Sequence, residues 1–95
     1  MTDLQCPAGA VLLGCGAPPP PWLARLRVAE RFEATGWANV LSLVDETADL
    51  FRGETFVVAA PPADVVEALR RRGVAGRPPV LVEVDSGGWR LVTEP

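Results

Sequence analysis

Three runs of proline divide this chain: four residues at 18–21, two at 61–62 and two at 78–79. Proline fixes φ and has no N–H to donate, so neither a helix interior nor a central strand can pass through these positions. Each regular element must therefore lie before, between or after these runs. At 95 residues, the chain is long enough for one domain with a single modest core.

The segments before residue 61 predict an α/β order. Residues 10–14 (AVLLG) and 55–60 (TFVVAA) are apolar runs bounded by Gly or Pro, which is typical of buried strands. Apolar residues recur at helical spacing from Pro21 to Gly36 and predict a helix over that range. Residues 37–51 fit a second helix capped by Asn39, although residues 40–44 alone could form a strand.

The rest of the chain predicts a helix and a hairpin. Asp64 is expected to start the helix, with Val65, Val66 and Leu69 on its buried side and Gly73 as its stop. "VLVEV" and "WRLV" then flank Asp-Ser-Gly-Gly and predict a β-hairpin. With residues 1–9 as a flexible leader, the first two strands are expected to be parallel by crossover and the last two antiparallel.

Composition excludes several classes of function. The sequence contains no His, Lys or Tyr, so it lacks the commonest general base, the Schiff-base lysine, the imidazole metal ligand and any Ser-His-Asp triad. A net charge of −3 argues against binding to a nucleic-acid backbone. No apolar run approaches the roughly 20 residues of a membrane span, so we expect no membrane contact and a cytoplasmic location. Two cysteines without histidine do not complete a zinc site, and we expect neither a metal nor a cofactor.

Residues 50–91 resemble the second half of a thioredoxin-like domain, in which a strand leads to a short helix, then Gly-Val-x-Gly-x-Pro, then a hairpin strand. The resemblance implies a small three-layer domain whose proline is cis and faces the active-site loop. Here the matching residue is Pro78, preceded by Arg77. The family's Cys-x-x-Cys pair follows the first strand, where this chain has "CGAPPPPW", with Cys15 in the first position and Pro18 in the second.

The expected function is therefore that of a non-catalytic thioredoxin-like domain that binds a protein partner, as an adaptor or assembly chaperone in a larger complex. Tryptophans are the side chains most able to anchor a partner, and Trp89 is expected to be exposed beside the hairpin turn. The predicted binding residues are Gly16, Trp22, Arg77, Pro78 and Trp89.

Two alternatives stay open. Cys15 could be the catalytic residue of a monothiol redox protein, acting near a helix start. If residues 40–44 form a strand instead, the chain becomes a compact Rossmann-like sheet. That sheet would be similar to the small CRISPR-associated, CARF-like proteins that bind or cleave cyclic oligonucleotides. This small nucleotide ligand would be contacted by Gly14, Gly16, Trp22, Asp64 and an arginine such as Arg90.

Overall fold

The computed structural model describes residues 6–92, which form one five-stranded mixed sheet and two α-helices. Within this range no helix combines the length and apolar character needed to cross a bilayer. The elements in chain order are β1 (Ala8–Gly14), a 3₁₀ helix (Pro21–Arg25), β2 (Val28–Glu33), α1 (Trp37–Leu50), β3 (Thr55–Ala60), α2 (Pro62–Arg71), β4 (Val80–Asp85) and β5 (Gly88–Val92).

The sheet has the order β2-β3-β1-β4-β5. Strand β3 is parallel to both β1 and β2, whereas β4 is antiparallel to β1 and β5 is antiparallel to β4. The predicted parallel pair of apolar strands and the predicted hairpin are therefore confirmed. Strand β2 lies at one edge of the sheet and β5 at the other.

Both α-helices pack on one face of the sheet. Their buried residues, including Val44 and Leu69, meet the strand residues that point to that face, such as Leu12, Phe56 and Val82. Alternation along each strand sends the intervening residues to the opposite face. This helix-covered face holds the larger of the two cores.

The opposite face is covered only in part. Val11, Val57 and Leu81 form a second, smaller core there, and Leu23 from the 3₁₀ helix packs on them. The expected third layer is thus a single 3₁₀ helix of five residues rather than a full helical layer. We call this side of the sheet the open face.

The helix predicted for residues 21–36 is wrong. Only Pro21–Arg25 is helical, and Val28–Glu33 forms strand β2. A buried strand such as β3 needs partners for its backbone N–H and C=O groups on both sides, and β2 supplies them along one edge. The apolar residues at helical spacing do not share one buried face, since Leu23 packs in the smaller core and Phe32 packs against the larger core on the opposite face of the sheet.

Element boundaries also differ from the predicted ones. Strand β1 begins at Ala8, so residues 8 and 9 of the predicted leader belong to the sheet. Residues 1–5 of the predicted leader lie outside the described range. Residues 40–44 are helical, as favoured, but α1 begins at Trp37 with Gly36 as its N-cap, and Asn39 instead donates to the Thr35 carbonyl. Helix α2 begins at Pro62, a residue whose fixed φ suits a first helical turn.

Candidate binding site

Three loops meet at the end of the sheet where β1 and β3 finish and β4 begins. A Cβ atom placed on Gly14 would lie 3.0 Å from Cγ of Pro62 and 3.6 Å from Cγ of Pro78. The end of β1, the first turn of α2 and the segment before β4 therefore pack at one point. We call residues 14–20, 61–63 and 77–79 the loop cluster. It contains five of the predicted site residues: Gly14, Cys15, Gly16, Arg77 and Pro78.

The loop after β1 holds the exposed Cys15 thiol. The Cys15 N–H donates to the Ala60 carbonyl at 2.9 Å, and a turn closed by Ala17 N–H to Gly14 C=O follows. Gly16 has φ +85°, a left-handed conformation that favours glycine. The prolines then hold the chain extended up to the 3₁₀ helix, so the expected helix start does not lie beside the thiol.

The cis peptide bond joins Pro78 to Pro79, one residue after the Arg77–Pro78 bond at which the resemblance implies one. Both bonds precede a proline, and residue type alone does not distinguish them. The Pro78 ring nevertheless faces the loop after β1, since it lies against Gly14. Strand β4 begins directly after the second proline, at Val80.

Beside the loop cluster lies an open groove of about 490 Å³ between the first turns of α2 and the segment before β4. Its lining consists of Pro62, Ala63, Val66, Glu67, Arg77 and Pro78. We call it the α2 groove. The Val66 side chain is 37% exposed here, so its predicted burial is wrong. Val65 and Leu69 are four residues apart and share the buried helix face, whereas Val66 is turned by about 100° from Val65.

The rim of the α2 groove carries positive charge. Glu67 binds Arg70 at 2.9 Å and Arg71 at 2.7 Å. Hydrogen bonds from Arg71 and then from Arg70 hold the pKa of the Glu67 carboxyl below its usual value. Arg77 forms no ion pair with any residue in 6–92. The groove lining therefore combines the Arg77 guanidinium with the Glu67 carboxylate, whose charge Arg70 and Arg71 neutralise.

The two predicted tryptophan anchors lie away from the loop cluster. Trp22 is half-buried in the 3₁₀ helix and packs against the second core. Trp89 is only 6% exposed, so the expected exposure is wrong. Its position in β5 opposite Val84 points it to the helix face, where its indole Nε1–H donates to Asp45 at 2.8 Å.

The contacts of the nucleotide-binding alternative are assembled only in part, since Gly14 and Gly16 share the loop after β1 whereas Asp64 and Arg90 are engaged elsewhere. The strand that this alternative needs at residues 40–44 is a helix. Asp64 accepts a hydrogen bond from the Gly36 N–H at 2.9 Å and so holds the start of α1. Arg90 pairs with Asp85 at 3.0 Å and with Glu83 at 3.5 Å in the hairpin, on the strand at the far edge of the sheet from β2.

No metal centre is formed by the part of the chain described here. Residues 6–92 contain no group of three or more His, Cys, Asp or Glu side chains arranged to hold an ion. Asp45, one of the carboxylates on α1, binds the indole of Trp89 and the guanidinium of Arg72. Both cysteines are exposed free thiols.

In comparisons with protein-family models, curated proteins and solved structures, nothing matches the chain significantly. What supports a function is therefore the chemistry of the groove and the loop cluster.

Proposed function

We propose that this protein is a non-catalytic binding domain of thioredoxin-like type, which holds a short segment of a partner protein in the α2 groove. The observation that carries the proposal is an exposed apolar floor beside Arg77, which forms no ion pair with the described residues 6–92. Val66 and the two prolines supply apolar surface, and Arg77 supplies the charge. Such a groove suits a segment with an apolar side chain next to a carboxylate.

The thioredoxin-like part of the proposal rests on the order of elements around the loop cluster. Two prolines precede the hairpin strand, and Pro78 faces the loop that follows β1. Without β2, the remaining sheet has the order β3-β1-β4-β5, with a helix between β3 and β4. The chain departs from the family pattern in the edge strand β2 and in Pro18, which replaces the second cysteine.

The binding role is favoured over catalysis because the groove brings together few reactive groups. Its lining has one carboxylate, which two arginines already neutralise, and no hydroxyl or thiol. An apolar surface with one charged contact at its rim gives affinity and orientation without reacting atoms.

Selection from a random peptide library displayed on phage tests the proposal. We expect the selected peptides to carry an apolar residue beside Asp or Glu and to bind about tenfold more weakly to Val66→Asp and to Arg77→Glu, a loss worth about 1.4 kcal/mol. Leu50→Asp and Arg25→Glu are matched controls, because Leu50 is 80% exposed on α1 and Arg25 is exposed on the 3₁₀ helix. Peptides whose binding survives both groove substitutions would place the site elsewhere.

A second function, thiol chemistry at Cys15, is favoured by one observation, which is the exposure of this thiol in the loop cluster. The iodoacetamide reaction rate of Cys15 in a Cys6→Ser background distinguishes the two functions. A binding domain predicts similar rates for the native protein and for the chain in urea, because exposure alone controls access. A native rate well above the unfolded rate would mean an activated thiol and would favour redox chemistry.

A further inference from the structure

Strand β2 leaves one backbone edge unpaired within the described sheet. Its inner edge pairs with β3, and the Ala34 N–H just beyond its end donates to the Ala59 carbonyl at 3.0 Å. Because backbone groups alternate in direction along a strand, Phe32 also points its N–H and C=O toward β3. Arg31 and Glu33 therefore point theirs outward, away from the sheet.

The side chains of Arg31 and Glu33 share the open face. Arg31 pairs in register with Val57, and Glu33 pairs with Ala59, two positions whose side chains point to that face. Both side chains are exposed, and neither forms an ion pair with a residue in 6–92. On the open face, β2 thus carries one positive and one negative charge, two residues apart and without ion-pair partners in residues 6–92.

We propose that β2 pairs antiparallel with β2 of a second copy of this chain, about a twofold axis at Phe32. In this register Arg31 lies opposite Glu33 of the other copy, and the same pair forms again across the axis. Both residues point their backbone groups outward, so each pair also exchanges two backbone hydrogen bonds. The two sheets then continue as one ten-stranded sheet.

The charges select this register over its neighbours. A shift of each strand by one residue about the axis places either Arg31 opposite Arg31 or Glu33 opposite Glu33, and like charges directly opposite each other are destabilising. In the proposed register Phe32 lies opposite Phe32 of the second copy, on the side of the sheet that the helices cover. Its ring is already held there by edge contacts with Phe51 and Phe56.

The other edge of the sheet lacks this self-complementarity. Arg90, the charged residue of β5, already pairs with Glu83 and Asp85 of the neighbouring strand and hairpin turn.

In the separate chain the Arg31 N–H contacts the Glu30 carboxylate at 3.2 Å. That contact is exposed, so the outward N–H can exchange it for a carbonyl of the second copy.

Sedimentation velocity of the full chain in reducing buffer, from micromolar to millimolar concentration, tests the proposal. We expect a concentration-dependent dimer that is lost in Arg31→Glu and in Glu33→Arg, and restored in the double variant R31E/E33R, which re-forms both pairs with the charges exchanged. Arg25→Glu and Glu46→Arg are controls with the same charge changes at exposed positions outside β2, and they should leave the dimer unchanged. A chain that stays monomeric, a dimer that survives both single variants, or a double variant that stays monomeric would each overturn the proposal.

Disulfide capture tests the register independently of these variants. In a Cys6→Ser and Cys15→Ser background, an equimolar mixture of Arg31→Cys and Glu33→Cys should cross-link much faster than either variant alone. Residues directly opposite have Cα atoms within disulfide reach, whereas the diagonal pairs formed by either variant alone are about 7–8 Å apart. Equal cross-linking in the three samples would contradict the register.

Discussion

Gly14 is the residue at which the end of β1 meets the two proline loops. It is buried, and a Cβ at this position would come within 3.0 Å of the Pro62 ring. Both neighbouring rings belong to prolines, which can relieve a contact only by a small change of ring pucker. A side chain at residue 14 is therefore expected to strain the packing of α2 and of the segment before β4, which form the wall of the α2 groove.

The Gly14→Ala variant is expected to lower the free energy of unfolding by about 1–3 kcal/mol, the usual range for overpacking a tight site. Urea denaturation measures this loss. Gly76→Ala is the matched control, because its Cβ would meet Val80 only at an ordinary contact distance of 3.7 Å. That variant should be neutral, or more stable by about 0.4–1 kcal/mol through the lower entropy of the unfolded chain. Equal effects in the two variants would contradict the tight contact.

Helix α2 carries its charges in an order that stabilises it. Asp64 lies in the first turn, and Arg70 and Arg71 lie in the last, so each sign faces the favourable end of the helix dipole. Glu67 lies three and four residues before the two arginines and binds both. Arg71 also lies over the ring of Trp37, at 3.9 Å from its centroid, and so joins the end of α2 to the start of α1.

Because its folded pKa is depressed, Glu67 stabilises the protein above the ordinary carboxyl pKa of 4.5. This contribution is lost as the pH falls from about 4.5 through the lower folded value. We therefore expect the free energy of unfolding of Glu67→Gln to fall less steeply over this acidic window than that of the wild type. Glu46→Gln, which removes one carboxylate at an exposed position on α1, is the matched control variant. Urea titrations at several pH values measure both slopes, and parallel curves for Glu67→Gln and wild type would contradict the depressed pKa.

The elements predicted correctly are those whose local pattern agrees with their tertiary surroundings. Residues 55–60 are apolar throughout and are indeed a strand with partners on both sides. Residues 28–33 have a mixed pattern, with Val28 and Phe32 on opposite faces and three charged residues around them. The alternation of Arg31, Phe32 and Glu33 is the signal for an edge strand, but the helical spacing of the preceding residues obscured it.

At the scale of the whole molecule, the loop after β1 and the segment with Pro78 lie together, as the resemblance implies, whereas the predicted tryptophan anchors do not join them. Cys15 and Pro78 lie at the same end of the sheet, because β1 ends where the antiparallel strand β4 begins. The direction of the parallel strands β1 and β3 follows from the crossover between the two apolar runs. Trp89 is buried in the larger core, where it donates a hydrogen bond to Asp45, which is 44 residues away in the chain. No local pattern reports a contact of this kind. The exposure of Val66 could have been found from the helical spacing of Val65 and Leu69.

The bond between Trp89 and Asp45 ties the C-terminal hairpin to α1 and is expected to stabilise the whole fold. Asp45 is partly exposed, so we expect about 1–2 kcal/mol, at the lower end of the range for a hydrogen bond to a charged group. Trp89→Phe also removes buried ring surface, so its total cost includes a packing contribution that the single variant cannot separate.

A double-mutant cycle with Asp45→Ala separates the two contributions, measured as free energies of unfolding in urea. Trp89→Phe should cost about 1–2 kcal/mol less in the Asp45→Ala background than in the wild type, because the packing loss remains and the hydrogen bond is already absent. Trp22→Phe is the control, since its indole donates to no residue in 6–92 and its cost should be the same in both backgrounds. If Trp89→Phe costs the same in both backgrounds, packing alone holds the hairpin on α1. In that case the strands of the sheet, rather than this polar contact, fix the position of β5.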